Sequence, residues 1–355
     1  MKTHSKTVFL GTMVLAVGLA LGSAAPAEAQ SAAAFYKGKN LTMTIVSGAG
    51  GGYDTYSRLL SRHIGNHIPG KPSMINQNMP GASGIRGTNW LYNVAPRDGS
   101  VMGMTYNTNL LEPLLGNNRA QFDSTKFEWI GSITTQYNTC MIWHTSPVKT
   151  IEDIKKQEVR VSTTGLSGNS AKTPLMLNTL LGTKFKVISG YNTRGMRLAV
   201  ERGEVEGICG FSYDTYEAAD PGWLREKKIR FLVQDAPKRI KQLPDVPLLS
   251  EYVTNPDHKK ALEVLSVKNN VGRPYLFPPG VPQYLVKALR KAFDDTMKDP
   301  KFLADAGKMH ITPDPMTGAE IAVALKNAYA SPKDIVKVAA KLWPPAVSKK
   351  KKKSK

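Results

Sequence analysis

Cysteine is nearly absent, with only Cys140 and Cys209 in a chain of 355 residues. Two cysteines exclude a disulfide-built scaffold and any zinc finger made of thiolates, since each needs more of them. Both fall in β-rich runs, where buried thiols are common, so their pairing stays open. Long apolar runs are as scarce. Residues 8–21 form the main one, which at ~1.5 Å per residue covers about 21 Å, short of the ~30 Å hydrocarbon core. No later segment offers 18 uninterrupted apolar residues, which excludes a polytopic membrane protein. Acidic residues are few, 28 against 48 Lys and Arg, for a formal charge of +20. Such an excess raises nucleic acid or an anionic membrane surface as partners. Yet the chain lacks a zinc finger, a basic zipper and an aromatic RNP pattern, so nucleic acid is not expected. Six of the lysines, Lys349 to Lys353 and Lys355, sit in the last seven positions. With no apolar residue among them they read as a solvated tail.

What is present is globular. The chain is 41% hydrophobic and 21% charged, and its length suits about two domains at ~150 residues each. Lys2 and Lys6, the apolar run at 8–21 and the small residues Ala27 and Ala29 make an export signal, with cleavage expected before Gln30. Residues 1–29 are therefore read as a signal peptide and the mature protein as periplasmic.

Beyond the signal, β-rich and amphipathic stretches alternate. Residues 41–46 read as a strand that stops in Ser47-Gly48-Ala49-Gly50-Gly51-Gly52. Tyr56, Leu59, Leu60 and Ile64 then recur at helical spacing. A second strand at 73–77 leads into Pro80-Gly81-Ala82-Ser83-Gly84, a helix through Trp90 and Leu91, and a third strand at 101–105. This order predicts parallel βαβ units. The pattern restarts at 140–143, and its strand at 159–162 ends in Thr163-Thr164-Gly165-Leu166-Ser167-Gly168-Asn169 before another helix. The last hundred residues read as mainly helical, with a capping box at Thr317 and Glu320. The expected fold is α/β: two domains, each a mainly parallel sheet flanked by helices, with domain I at 30–131 and 235–343, domain II at 132–234, and a basic tail at 344–355.

Three glycine-rich loops placed before helices carry the chemistry. Backbone N–H groups at such a turn point to one spot, and the helix N-terminus adds partial positive charge, which makes an anion site. Gly48-Ala49-Gly50 has Tyr53 where a dinucleotide fingerprint needs its third glycine, and no Gly-Lys-Ser/Thr makes it a phosphate loop. His63 and His67 are four residues apart, but lack the glutamate and third ligand of a zinc site, so no metal or cofactor is expected. Gly165-Leu166-Ser167-Gly168-Asn169 falls one glycine short of a nucleophile elbow. An exported hydrolase or lyase remains an alternative, but a binding protein is the expectation.

Here the residues meet a known pattern. Gly50-Gly51-Gly52-Tyr53-Asp54 through Arg58 resembles the Gly-Gly-x-x-Asp-x-x-x-Arg signature of the tripartite tricarboxylate transporter solute receptors, the Bug family. Asn78-Met79-Pro80-Gly81-Ala82-Ser83-Gly84 is similar to that family's Asn-Arg-Pro-Gly-Ala-Gly-Gly. Ala95-Pro96-Arg97-Asp98-Gly99, the stretch from Pro147 to Ile154, and Pro279-Gly280-Val281-Pro282 follow it too. Ser47-Gly48-Ala49 and Ser189-Gly190-Tyr191-Asn192 depart from the pattern, and the second removes a usual lysine.

The resemblance implies a periplasmic-binding-protein-like clamp, monomeric, that closes on a small organic carboxylate and hands it to integral membrane transporter subunits. Gly50, Gly51, Gly52, Tyr53, Gly81, Ala82, Ser83 and Gly84 would hold the ligand from domain I. Thr163, Thr164, Gly165, Ser167, Gly168, Asn169 and Ser170 would close from domain II, with Tyr191, Tyr213 and Asp214 reading the rest of the solute. Because these loops hold no Arg or Lys except the flanking Arg58, Arg86 and Lys172, amides and hydroxyls are the expected donors. Lys172 is expected to be dispensable, and Gly51→Val to abolish binding.

Overall fold

In the computed structural model, the described residues are Met1, 31–166 and 168–344. Residues 2–30, where an export signal is expected, the basic run after residue 344 and Ser167 lie outside them.

Helix α1 (Ala32–Tyr36) precedes the first βαβ unit: β1 (Asn40–Ile45), α2 (Gly52–Ile64), β2 (Ser73–Asn78), α3 (Ile85–Asn93) and β3 (Val101–Met104). Then β4 (Glu128–Ser132) leads to β5 (Asn138–Trp143). The second unit follows with α4 (Ile151–Lys156), β6 (Val159–Thr163), α5 (Asn169–Leu181), β7 (Phe185–Ser189) and α6 (Thr193–Glu201). It ends with β8 (Gly207–Ser212), α7 (Tyr213–Ala219), α8 (Pro221–Arg225) and β9 (Ile229–Asp235). The chain returns through α9 (Leu249–Tyr252), α10 (Pro256–Asn270) and β10 (Pro274–Phe277). It closes with α11 (Gln283–Thr296), α12 (Pro300–Lys308), β11 (Met316–Thr317), α13 (Gly318–Tyr329) and α14 (Lys333–Leu342).

Two sheets result, one per lobe: β11-β4-β10-β3-β1-β2 in lobe I and β7-β6-β8-β5-β9 in lobe II. Each is mixed. The predicted parallel halves are present, β2-β1-β3 and β7-β6-β8. Strands β10, β4 and β11 then add antiparallel to the first, and β5 and β9 to the second. Two of these, β5 and β10, arrive from the other lobe, need no crossover helix and are free to run antiparallel.

Alternation along β5 sorts the lobe II core, with Cys140 and Ile142 in the main cluster and Met141 in a smaller one around Met196, Tyr216 and Trp223. Cys140 opposes Cys209 across the β5–β8 ladder, and the two form a disulfide, which resolves the pairing that spacing left open. The capping box of Thr317 and Glu320 is present, and Thr150 with Asp153 makes a second.

Candidate functional site

The first glycine loop turns between β1 and α2. Gly50 has φ +76°, a left-handed conformation that glycine adopts without steric cost. Its N–H donates to Asp54 Oδ2 at 2.9 Å, so that amide is satisfied within the loop. Asp54 also accepts from Arg58 Nε at 3.0 Å and Asn78 Nδ2 at 2.8 Å. Burial alone would raise the Asp54 carboxyl, but these hydrogen bonds outweigh it and hold the group below its usual 3.8. A depressed carboxyl stabilises the fold above the unfolded value and loses that contribution as pH falls through the folded one. The stability gap between the wild type and Asp54→Asn, measured by urea unfolding, should therefore be largest near about pH 6 and shrink toward about pH 2.

Gly51 is the N-cap of α2 with φ −85° and no side-chain cap. That φ is open to any residue, and a Cβ there would meet only Gly48 O at 3.7 Å. The expectation that Gly51→Val breaks the loop is therefore corrected. Gly52 is the glycine that faces Arg273: a Cβ there would lie 3.5 Å from Nη2, an ordinary van der Waals contact.

Arg273 is the residue that loop-by-loop reading missed. It lies between α10 and β10, far along the chain from the glycines, and is 5% exposed. Its guanidinium carbon sits 4.2 Å from the Tyr53 ring centre and 4.8 Å from that of Tyr56, close enough for cation–π attraction. Nη1 donates to its neighbour Gly272 O, Nε has no hydrogen-bond partner, and among the described residues no carboxylate lies within ion-pair distance. Burial works against its charge, but Tyr53, Tyr56 and Asp214 raise its pKa overall. The first-turn amides of α2 have no intrahelical partner, and Gly52 in that turn lies beside Arg273 Nη2. A buried cation and a helix N-terminus thus converge on one point. The expected loops have a side-chain cation beside them that the loop sequences do not contain. One signal was available: Arg273 is the lone charge in the apolar run 271–277.

Several candidates gather around this cation. Tyr53 donates its hydroxyl to Asn107 Oδ1 at 2.8 Å and packs edge-on against Tyr106 at 4.5 Å. Tyr56 donates across the lobes to Asp214 Oδ2 at 2.5 Å. Burial, then Asp214, pushes the Tyr56 hydroxyl well above its usual value, so it stays a donor at neutral pH.

The second loop closes on Tyr106 from the side. Gly81, Ala82, Ser83 and Gly84 have φ of +140°, +47°, +53° and +82°. Two non-glycine residues held there carry about 1–3 kcal/mol of strain each. A Cβ on Gly84 would come within 2.9 Å of Tyr106. Ala82 and Ser83 also line a small cavity of about 30 Å³ with Glu112 and Asn117, room for about one water.

The lobe II loop is stitched to itself. The Thr163 and Ser170 hydroxyls share a 2.7 Å bond, and Gly165 N–H donates to Thr163 Oγ1. Thr164 is exposed, while Asn169 Oδ1 is buried without a partner. Gly168 is the N-cap of α5, and Ser167 lies outside the described residues. Just beyond, Lys172 reaches across to Glu112 at 2.6 Å, the two side chains 1% and 4% exposed. That burial makes Lys172 a structural charge between the lobes rather than a solvent-exposed flanking one. Lys268 pairs with Asp235 at 2.9 Å, and Trp343 covers both lysines, 4.4 Å from Lys268 Nζ and 5.5 Å from Lys172 Nζ.

Two candidates are not brought to Arg273. Tyr191 donates to Glu204 at 3.2 Å in an exposed pair. Glu204 lies just before β8, beside Glu206, which bonds Arg160 near the start of β6, so the hydroxyl points away from the loop that ends β6. Tyr213 packs on Phe231 at 5.6 Å within lobe II. The histidines are also occupied, His63 with Asp305 and His67 with Asp299.

The chain has the fold of the TctC and Bug solute-binding proteins. A TctC solute-binding protein from Polaromonas superposes with a TM-score of 0.64 at 18% identity, covering 85% of this chain and 99% of that one. The periplasmic binding protein BugD gives 0.65 at 20%, covering 86% and 98%. MatC from Rhodopseudomonas palustris, solved with bound malate, gives 0.64 at 19%, covering 84% and 99%. No protein-family model and no curated protein matches the chain. In this TctC/Bug fold, Arg273 and the two tyrosines stand at the junction of the lobes, with α2 of lobe I and α7 of lobe II meeting through Tyr56 and Asp214.

Proposed function

We propose that this protein is a periplasmic receptor for a small organic carboxylate, which it captures between its lobes and delivers to a membrane transporter. One observation carries the reading: Arg273 is a buried guanidinium with no carboxylate in ion-pair range, at the first turn of α2. A ligand carboxylate would give this guanidinium the charge-assisted hydrogen bonds that its free N–H groups lack. The amides of Gly52 and Tyr53 would share the anion, with the loop at 81–84 beside them and the one at 163–170 closing from lobe II. The lobes are assigned to residues 30–131 with 235–343, and to 132–234. With one fixed cation, a mono- or dicarboxylate suits the site better than a tricarboxylate. A hydrolase or lyase has less support, because no Ser, Thr or Cys among the described residues is hydrogen-bonded to a histidine.

A thermal-shift screen of the mature protein against mono-, di-, tri- and aromatic carboxylates tests this. Ligand at 100 times Kd should add about 2.7 kcal/mol and raise Tm by a few degrees. No response to any carboxylate would overturn the proposal. Small-angle scattering with and without the best ligand should also show a smaller radius of gyration when it is bound.

A further inference from the structure

The receptor reading leaves a second unpaired atom unexplained. Asp214 Oδ2 is taken by the Tyr56 hydroxyl at 2.5 Å, but Oδ1 is buried with no hydrogen-bond partner. Arg273 Nε is likewise buried and unpartnered. Both groups address the same tyrosine: the guanidinium lies over the Tyr56 ring at 4.8 Å and Asp214 takes its hydroxyl. The junction of the lobes therefore carries an unmet donor on the lobe I side and an unmet acceptor on the lobe II side. A solute with only carboxylates would meet the first and repel the second. Glu217, one turn further along α7 and partly buried, adds acid to that side.

We propose that Asp214 selects the solute: the ligand is a carboxylate that also carries a hydrogen-bond donor, an ammonium or a hydroxyl, with its carboxylate on Arg273 and its donor on Asp214 Oδ1. The chemistry balances charge. Arg273 and Asp214 sum to zero, and a zwitterion or hydroxy acid places one unit of each polarity, or a neutral donor, where each is unmet. This rests on the receptor reading and goes further, because it assigns the second contact and the group that makes it. Leaving a buried acceptor without its donor is more costly than a weak contact, which makes an unmatched ligand lose affinity.

The test is a series that varies one substituent. Dissociation constants are measured by calorimetry for propionate, lactate and alanine, and for succinate, malate and aspartate. At the chain length that binds better, the hydroxy or amino acid should bind at least about ten-fold more tightly than its unsubstituted parent. A preference for only one of them supports the proposal and names the donor. Asp214→Asn keeps an acceptor for Tyr56 but offers the ligand an amide, so it should erase the preference between substituted and parent acid. Tyr56→Phe removes the bond between the lobes without touching Oδ1, and there the ratio between substituted and parent acid should survive. Equal affinity of parent and substituted acids in the wild type overturns the proposal and leaves the receptor reading standing. Loss of the ratio in Tyr56→Phe together with its retention in Asp214→Asn also overturns it. If none of the six binds while an unsubstituted carboxylate from the wider screen does, this proposal falls and the receptor reading stands; if no carboxylate of either set binds, both fall.

Discussion

Arg273→Ala should leave the protein folded and its carboxylate binding beyond detection. Removing one member of a buried charge pair costs about 2–5 kcal/mol, or roughly 30- to 5,000-fold in Kd. The prediction separates affinity from stability. In the free protein Arg273 packs on Tyr53 and Tyr56, so its truncation should lower Tm by only a few degrees while binding is lost. Arg273→Lys keeps the charge but loses the planar face that packs on Tyr53 and Tyr56, and should recover only part of the affinity. Calorimetry on the three proteins, with melting curves alongside, decides the matter. Wild-type affinity in Arg273→Ala would place the anion elsewhere.

Lys172→Ala should do the opposite, costing stability above all. Lys172 and Glu112 join the lobes at 2.6 Å with almost no exposure. Burial pulls the lysine below its usual pKa, and Glu112 opposes that pull. Deleting the lysine strands a carboxylate in the interior, which costs about 3–5 kcal/mol. At roughly 2–4 °C per kcal/mol, Tm should fall by about 6–20 °C. The double variant Lys172→Met with Glu112→Gln leaves no lone charge and should regain most of the loss. A single-variant cost under about 1 kcal/mol would mean that the pair is solvated when the protein is free of ligand.

These two residues also show where sequence reading reaches and where it stops. Local periodicity placed β1, α2 and the glycine loops, and the motif from Gly50 to Arg58 led to the correct fold, because each signal lies within a dozen residues. It also read Tyr56 as core, correctly, from its spacing with Leu59 and Leu60. What it could not read was the far end of that side chain, a hydroxyl meeting Asp214 of the other lobe. Arg273 escaped for the same reason, being brought to Gly52 by the return of the chain through β10. Lys172 looked like a flanking charge because burial is a property of the assembled lobes. Tyr191 failed in the other direction: its position after β7 was right for a cleft, but its rotamer carries the ring to Glu204.

Trp343 gives the molecule a built-in optical gauge. Its indole is 1% exposed and spans two cations, Lys172 on α5 of lobe II and Lys268 on α10, which also packs beside Asn107–Leu111 of lobe I. Any separation of the lobes that draws Lys172 away must uncover that ring on one side. Water would then relax around its excited state, and emission would shift to the red. With the other four tryptophans replaced by phenylalanine, the end of α14 would report, without any added label, how far apart the two halves of the protein stand.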